Sequence, residues 1–553
     1  MTDIFKERSA GMFPTLTDAQ IARIAPHGKR RKVEAGEVLF EQGTAAVGIL
    51  IVLSGALEVL RPRHDGEDMV VVHTAGNFSG EANALAGRRS LLRGRMKETG
   101  EILFLDSDGL RHIVQGDPDI SEVIMRAFIL RRGALLQSGF GEAVLIGSRH
   151  SAGTLRLQEF FTRNSQPCTY VDIEDDKEIQ ALLDRFHVGV GDIPVVICRG
   201  EKVLKNPTNE EIADCFELNV STFKHKESRD LVVVGAGLGG LAAAVYGASE
   251  GLDVLVLETD APGGQAGTSS KIENYLGFPT GISGQDLAVR ALAQAQKFGA
   301  EISVARSAVR FKCDGAGSYE IVLSNGELVR ARAVVIASGA RYRRLQFPDA
   351  AKFDNVGVYY GATNVEARLC AGDDVIVVGG ANSAGQAAIF MSTQTKHVHM
   401  LIRGAGLAET MSRYLIKRIE DNPNITLHTH TEIVGFEGDD ELRAVKWRHQ
   451  DGKIEERAIK HVFLMIGASP NSKWLEGCVA LDANGFVKTG PDLTPEDLAH
   501  TKWPLRRAPF LFETNRHRVF AVGDIRSGSV KRVASAVGEG SISVQLVHRA
   551  LAE

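Results

Sequence analysis

The chain has 553 residues, 44% of them apolar and 24% charged, which indicates a globular protein with several domains. Its 64 basic and 69 acidic side chains nearly balance, so the net charge gives no sign of nucleic acid or an anionic membrane surface as a partner. The first residues lack the pattern of a secretion signal, and the apolar run at residues 231–248 contains five glycines, so we expect a cytoplasmic protein without membrane contact.

The first elements are short β-rich segments, separated by glycine and charged turns, from residue 32 to residue 105. Residues 108–137 follow with a helical pattern. This order is typical of an antiparallel β-roll with helices, and we assign it to residues 1–140. No segment after it resembles a helix-turn-helix, which argues against a transcription factor.

The segment GNFSGEANALAGRRSLLRG of this roll resembles the phosphate-binding cassette of cyclic-nucleotide-binding domains. The resemblance implies that Gly80 and Glu81 contact the ribose of a cyclic nucleotide, and that Arg89 and Ser90 contact its phosphate. Arginine suits this task because its planar guanidinium matches the oxygens of a phosphate. The alternative is a degenerate roll that serves only for dimerisation.

Strands and helices alternate from residue 142 to residue 218, which predicts a small α/β domain at residues 141–220. This domain resembles the thioredoxin and glutaredoxin fold, with Asp192, Ile193 and Pro194 at its cis-proline turn. The segment after its first strand, residues 147–158, contains no cysteine. The domain is therefore expected to be inactive in dithiol exchange, and a polar linker at residues 221–229 follows it.

The segment LVVVGAGLGGLAAAVYGASEGLDVLVLE predicts a strand, a glycine turn, a helix and a second strand that ends at Glu258. Gly235 permits the tight turn, Gly237 lets the backbone approach a pyrophosphate, and Gly240 lets the helix pack closely on the strand. Glu258 is placed to accept hydrogen bonds from the ribose hydroxyls of an adenosine. The pattern predicts a dinucleotide site at the amino terminus of the helix.

Two further segments, PGGQAGTSSKIENYLGFPTGISGQDL and VFAVGDIRSGSVKRVASAVGEG, resemble flavin-binding stretches of thioredoxin reductases. The resemblance implies an FAD domain made of residues 230–344 and 466–553. It places Gly264, Gln265 and Asn274 along the FAD. Gly523 and Asp524 are expected at the ribityl chain and the pyrophosphate, and Lys531, Arg532 and Val533 near the flavin ring. The alternative for Asp524 is that it only caps the following helix.

A second dinucleotide motif, DDVIVVGGANSAGQAAIFMS, lies between the two FAD segments, in a predicted NAD(P)H domain at residues 345–465. Its loop is a G-x-A-x-x-A variant formed by Gly379, Gly380, Ala381, Asn382, Ser383 and Ala384. The next strand ends at Arg403, with no acid to hold a ribose 2′-hydroxyl, and Arg413 and Arg418 follow. Because arginine accommodates a 2′-phosphate, we expect NADPH rather than NADH, although these arginines can also be read as solvated helix charges.

Thioredoxin reductases carry a C-x-x-C pair shortly before the second glycine motif, and here Gly361 and Asn364 occupy its two positions. Cys370 lies nearby, but a single thiol cannot form an internal dithiol, and we expect it to be a small buried residue. The cysteines are scattered along the chain, which argues against a disulfide scaffold and a zinc site. They are Cys168, Cys198, Cys215, Cys313, Cys370 and Cys478.

The predicted fold class is multidomain: an antiparallel β-roll with helices, a small thioredoxin-like α/β domain and two Rossmann-like dinucleotide-binding domains. The resemblance implies an FAD-dependent NAD(P)H oxidoreductase, expected to be a homodimer, that passes electrons to an acceptor the sequence does not identify. A cyclic nucleotide is expected to modulate it. Two alternatives remain open, a sensor of cyclic nucleotide and redox state with little turnover, and a thioredoxin reductase that uses the cysteines of a partner.

Overall fold

The computed structural model describes most of the chain. The described residues are 9–44, 48–63, 66–80, 84, 90, 92–137, 143–149, 151–174, 190–198, 202–219, 228–269, 271–272, 274–313, 318–347, 350–353, 356–362, 364–439 and 441–553. Within them, no helix combines the length and the apolar character needed to cross a bilayer.

The first sheet is antiparallel, and its central strand is buried on both faces. That strand reads GILIVLSGALEVLR, so apolar side chains on alternate residues face two separate clusters. The main strand order is β1-β6-β3-β4, with β2 on β6 and β5 on β3. The elements are α1 (Ser9–Met12), α2 (Asp18–Ile24), β1 (Lys29–Val33), β2 (Val38–Phe40), β3 (Gly48–Arg63), β4 (Gly66–His73), β5 (Phe78–Ser79), β6 (Arg93–Asp106), α3 (Ser107–Gly116) and α4 (Pro118–Gln137).

A four-stranded sheet follows in the order β10-β9-β7-β8. Strands β7 and β8 are parallel, while β9 runs antiparallel to β7 and to β10. The Ile193–Pro194 peptide bond is cis. The elements are β7 (Ala143–Gly147), α5 (Ala152–Arg163), β8 (Cys168–Asp172), β9 (Val195–Cys198), β10 (Lys202–Lys205) and α6 (Asn209–Cys215). The helix that the sequence predicts near residues 178–186 lies outside the described residues.

The next sheet has the order β13-β12-β11-β16-β15-β14, in which β13, β12, β11 and β16 are parallel. Helices cover one face, and the uninterrupted apolar runs of β11 and β12 suit strands buried on both faces. The elements are β11 (Arg229–Val234), α7 (Leu238–Ser249), β12 (Val254–Leu257), α8 (Gly284–Lys297), β13 (Glu301–Ser303), β14 (Ala308–Lys312), β15 (Tyr319–Leu323) and β16 (Leu328–Ile336).

The chain then builds a second parallel sheet, β18-β25-β19-β20-β21, with a three-stranded antiparallel sheet beside it. The elements are β17 (Ala340–Tyr342), β18 (Val358–Tyr359), α9 (Asn364–Leu369), β19 (Asp374–Val378), α10 (Asn382–Met391), β20 (His397–Leu401), α11 (Arg413–Glu420), β21 (Ile425–His428), β22 (Glu432–Glu437), β23 (Ala444–Arg448), β24 (Ile454–Arg457) and β25 (His461–Leu464). Both dinucleotide motifs thus lie after the first strand of a βαβ unit.

The chain returns to the preceding α/β unit beside the point where it left. Strand β26 (Ala468–Pro470) pairs with β17, and after α12 (Pro495–Thr501) strand β27 (Val519–Ala521) pairs in parallel with β16. Helix α13 (Val533–Leu551) then packs against α7. The second parallel sheet is therefore an insertion in the first dinucleotide unit.

Two disulfides join cysteines that are distant in sequence. Cys198 bonds to Cys215 with Cα atoms 6.6 Å apart, and Cys313 bonds to Cys478 with Cα atoms 5.9 Å apart. The cysteine spacing argued against a disulfide scaffold, and it did not predict these two bonds. The reason is physical: packing against the sheets brings together cysteines that have no short spacing in the sequence, with α6 against β9 in the first pair. Cys168 and Cys370 are free.

Candidate functional site

The turn between β11 and α7 requires glycine at two positions for steric reasons. A Cβ on Gly235, whose φ is +108°, would lie 2.3 Å from the carbonyl oxygen of Ala337, and a Cβ on Gly240 would lie 1.9 Å from that of Gly235. By contrast, a Cβ on Gly237 would have only the Cα of Gly264 within 4 Å, at 3.9 Å. The turn is packed on its inner side and open at Gly237, where α7 begins.

Glu258 lies buried after β12 and bonds to the glycine turn. The backbone N–H of Ala236 donates to Glu258 Oε2 at 2.7 Å, and that of Asp260 donates to Oε1 at 3.0 Å. Burial raises the pKa of the Glu258 carboxyl group, while the two backbone bonds lower it. The carboxylate retains further acceptor positions, because each of its oxygens can accept two hydrogen bonds.

The loop after Glu258 packs against the same turn. The backbone N–H of Gly263 donates to the Ala236 oxygen at 2.8 Å, and a Cβ on Gly264 would lie 2.9 Å from the Cα of Gly237. Gln265 donates from its side chain to the Ala340 oxygen, at the start of β17. The structure therefore brings Gly264 and Gln265 to the turn, while Asn274 is exposed on the loop that follows.

Gly523 and Asp524 lie just after β27, in a short 3₁₀ helix. The backbone N–H of Gly523 donates to Glu539 Oε2 at 2.6 Å, and Arg526 also pairs with the Glu539 carboxylate at 2.6 Å. Burial raises the pKa of Asp524. Asp524 does not cap α13, because the amino-terminal cap of that helix is Arg532.

The start of α13 lies beside the start of α7. A Cβ on Gly239 would lie 3.0 Å from the Ala536 oxygen, and a Cβ on Gly540 would lie 2.1 Å from the Gly239 oxygen. The exposed Lys531 donates to the Asp524 oxygen at 3.0 Å, and Val533 is the first residue of α13. The Glu539–Arg526 pair was not predicted from the sequence, although an acid on an otherwise apolar part of α13 was a usable signal.

These contacts gather the predicted FAD residues at the carboxyl ends of β11, β12 and β27. The site has an open backbone approach at Gly237, a helix amino terminus for a pyrophosphate, and a buried carboxylate for a ribose. The donor and acceptor groups of this chain therefore fit FAD.

The second glycine motif repeats this steric logic after β19. Gly379 has a φ of +136°, and a Cβ on it would lie 2.3 Å from the Met465 oxygen. Ala381 caps α10, whose first residues Asn382 and Ser383 lead to the buried Ala384. Thr410 Oγ1 donates to the Gly380 oxygen at 2.7 Å.

The predicted arginines lie near this second motif. Arg403 is exposed just after β20, and Arg413 is exposed as the first residue of α11. The backbone N–H of Ser412 donates to Asn382 Oδ1 at 2.7 Å, which fixes the start of α11 against the start of α10. Arg418 is also exposed, farther along α11.

The first predicted dithiol position, Gly361, lies beside the loop that follows Glu258, residues 259–269, which we call the FAD loop. A Cβ on Gly361 would lie 3.6 Å from the Cβ and the Oγ1 of Thr268, which ends a short 3₁₀ helix in that loop. Asn364 is the first residue of α9. Cys370 is fully buried, and burial raises its thiol pKa, so it remains protonated at neutral pH.

Part of the predicted nucleotide cassette is visible in the amino-terminal roll. Gly80 has a φ of +102°, and a Cβ on it would lie 2.6 Å from the Gly48 oxygen. Ser90 is buried, and its hydroxyl donates to the Leu92 oxygen at 2.7 Å. Glu81 and Arg89 lie outside the described residues.

Comparisons with known proteins agree with this geometry. The family model described as "Pyridine nucleotide-disulphide oxidoreductase" matches residues 229–540, and the model described as "Cyclic nucleotide-binding domain" matches residues 30–117. Both matches confirm resemblances that the sequence motifs indicated.

Relatives that match this chain include named thioredoxin reductases. The NADPH-dependent thioredoxin reductase 3 of Arabidopsis thaliana is 30% identical over 375 residues, which cover 64% of this chain and 65% of that protein. This chain thus spans less than two thirds of the length of that relative. The thioredoxin reductase of Mycolicibacterium smegmatis is 31% identical over 326 residues, with coverage of 59% and 97%.

A solved structure supports the same fold. The thioredoxin reductase of T. acidophilum aligns with a TM-score of 0.52 at 25% identity, and covers 59% of this chain and 99% of its own. The chain therefore belongs to the pyridine nucleotide-disulphide oxidoreductase family, whose members are FAD-dependent NAD(P)H oxidoreductases, and it carries a cyclic-nucleotide-binding domain ahead of that module.

Proposed function

We propose that this protein oxidises NADPH, passes the electrons through FAD and delivers them to an acceptor outside the chain. The observation that carries this proposal is the position of Gly361, where an added Cβ would lie 3.6 Å from the Cβ and the Oγ1 of Thr268 in the FAD loop. Glycine at this position has no group that exchanges electrons. The acceptor must then approach the flavin from outside.

FAD, when bound, supplies the redox chemistry, and the chain supplies binding, orientation and charge. Backbone N–H groups at the start of α7 would bind the pyrophosphate, and Glu258 would accept from the ribose hydroxyls. Lys531 and Arg532 are exposed at the start of α13, where their positive charges would stabilise reduced flavin.

The preference for NADPH rests on Arg403 and Arg413. Both are exposed, and both follow the carboxyl edge of the second parallel sheet, where ligands of such sheets bind. Their guanidinium groups would hold the 2′-phosphate that distinguishes NADPH from NADH.

We propose the domain division of the sequence analysis for the whole chain, together with a homodimer in the cytoplasm. Residues 141–220 form a thioredoxin-like domain in this proposal. The order β10-β9-β7-β8, the parallel β7–β8 pair and the cis Ile193–Pro194 bond support it. Because residues 147–158 contain no cysteine, this domain does not replace the missing dithiol by the usual route.

The cyclic-nucleotide-binding domain favours regulation of this electron transfer by a cyclic nucleotide.

In the alternative function, the flavin module reports the redox state to a partner protein and catalyses little turnover. Anaerobic stopped-flow reduction by NADPH and by NADH, with and without cyclic AMP or cyclic GMP, tests coenzyme choice and regulation together. Rapid flavin reduction by NADPH that a cyclic nucleotide changes severalfold is expected, and no reduction would refute the proposed function.

The acceptor decides between enzyme and sensor. Sustained NADPH oxidation with a ferredoxin-like or flavodoxin-like protein, a quinone or a partner's disulfide is expected for the enzyme. Flavin that is reduced by NADPH but reoxidised only by air would favour the sensor. Because the named relatives are thioredoxin reductases, thioredoxin is the third acceptor to test. NADPH consumption in an insulin-coupled assay with added thioredoxin would show that the cysteines of a partner are enough for thioredoxin reduction.

A further inference from the structure

Arg163, the last residue of α5, reaches from the middle α/β unit into the FAD loop. Its Nη2 donates to the Gly264 oxygen at 3.0 Å and to the Ala261 oxygen at 3.4 Å. Gly264 is the residue that packs on Gly237, at the open side of the glycine turn. A single guanidinium therefore bonds two carbonyls of the loop that closes this turn.

Neighbouring groups fix the end of α5 from both sides. Asn164 Nδ2 donates to the Asp260 oxygen at 3.1 Å, two residues past Glu258. On the other side, Gln285 Nε2, in the first turn of α8, donates to the Thr162 and Arg163 oxygens, each at 3.3 Å. The end of α5 is thus held by α8 while its side chains hold the FAD loop.

Burying the guanidinium of Arg163 costs free energy, and a contact that only joined two domains would not require it. Its side chain is 16% exposed, and its ion pair with Glu159 at 3.3 Å uses a carboxylate that is 46% exposed. Burying a guanidinium is unfavourable unless hydrogen bonds replace its water. Here the loop carbonyls accept bonds from Nη2, while Nε has no partner among the described residues, and the positive charge also favours the ionised form of the buried Glu258.

We propose that Arg163 is a positioning residue for FAD, which holds residues 261–264 against the Gly235–Gly240 turn. In this arrangement the middle domain, which has no dithiol at the usual place, forms part of the flavin site. The inference rests on the assignment of FAD to that turn.

The test compares full-length variants of two arginines on α5. Arg163→Met removes the bonds to the loop and nearly preserves side-chain length. Arg156→Met is the matched control, because Arg156 donates to the Asn209 side chain and the Pro207 oxygen within the middle domain, both at 2.6 Å. The measurements are the Kd for FAD from titration of the apoprotein, and the visible circular dichroism of the bound flavin.

Arg163→Met is expected to weaken FAD binding by about 10- to 100-fold, the usual range for losing hydrogen bonds from a charged donor. It should also alter the flavin circular dichroism. Arg163→Lys is expected to restore part of the affinity, because an ammonium keeps the charge but lacks the planar fork. Arg156→Met should leave the Kd within about twofold and the dichroism unchanged.

Wild-type affinity and dichroism in Arg163→Met would overturn the proposal, as would equal losses of FAD in both methionine variants. If Arg163→Met does not fold, Arg163→Lys carries the test, and wild-type affinity in that variant overturns the proposal. Failure of the unmodified protein to bind FAD would instead refute the proposed function.

Discussion

Gly237 and Gly240 are three residues apart, yet a methyl group would meet very different surroundings at the two positions. At Gly240 it would lie 1.9 Å from the Gly235 oxygen, whereas at Gly237 its nearest neighbour would be 3.9 Å away. Gly240 therefore serves the packing of helix on strand, while Gly237 leaves room for a ligand.

We expect Gly240→Ala to destabilise the protein by about 1 to 3 kcal/mol, the usual cost of overpacking, and to lose FAD as well. Gly237→Ala should leave the apoprotein as stable as the wild type, because its methyl group clashes only with bound FAD. Thermal unfolding of both apoproteins and titration with FAD separate the two effects. Equal destabilisation of the two variants would contradict this assignment.

His73 makes the amino-terminal roll sensitive to acid. It is 1% exposed, and burial, together with the charge of Arg131, lowers its pKa to about 3. The folded roll therefore takes up this proton near pH 3, whereas the unfolded chain takes it up near pH 6.5, so acid favours unfolding.

From pH 6.5 to pH 5, His73 is expected to reduce the stability of the roll by about 2 kcal/mol. His73→Phe keeps a ring beside Phe13, at 5.9 Å in the native pair, and removes the titration. Hydrogen exchange of peptides from β3 and β6, measured in the full chain at several pH values, reports this stability. If the stability of His73→Phe depended on pH as strongly as that of the unmodified protein, groups other than His73 would be responsible.

At the scale of elements, the predicted preference for NADPH over NADH depends on where β20 ends and where α11 begins. Arg403 follows β20 and Arg413 begins α11, whose start is bonded to α10 through Ser412 and Asn382. The helix start, and not Arg413 alone, therefore sets the position of this guanidinium.

The double variant Arg403→Ala, Arg413→Ala is expected to raise the KM for NADPH by about 10- to 100-fold, because it removes charge-assisted bonds to a phosphate. The KM for NADH should change little. Lys417→Ala, an exposed cation on the same helix, is the control. Steady-state kinetics with both coenzymes measure the effect, and parallel changes for NADPH and NADH would show that these arginines do not read the 2′-phosphate.

The sequence predicted most elements near the FAD turn, because β11, α7 and β12 follow directly from apolar runs and glycines. Helix α5 begins at Ala152 and includes the weak helix former Gly153, so propensity alone does not reveal its start. Gly523 lies just after β27, but its bonding partner Glu539 comes from α13 and was not predictable from spacing.

At the scale of the whole molecule, the predicted dithiol position lies beside the FAD loop, since a Cβ on Gly361 would be 3.6 Å from the Cβ and the Oγ1 of Thr268. Gly361→Cys with Asn364→Cys restores the C-x-x-C spacing at this contact. We expect the double variant to gain NADPH-dependent reduction of a disulfide reagent by at least about tenfold over the unmodified protein. The single variant Gly361→Cys is the control, since one thiol cannot form the internal disulfide.

A rate in the double variant no higher than that in the single variant would show that the units do not bring this position to the flavin during turnover. Free thiol counts before and after NADPH addition, under anaerobic conditions, verify that the new pair is reduced by the flavin.

The sequence by itself determined the two glycine turns and the family, and it led to the prediction that Gly361 and Asn364 occupy the dithiol positions. These features depend on residues close together in the chain, where glycine and strand–helix order leave few conformations. Only the tertiary structure decided that Glu539 holds Gly523, that Arg163 holds the FAD loop, and that Cys313 bonds to Cys478. Each of these contacts joins residues from separate elements, and packing of the folded chain, not local spacing, brings them together.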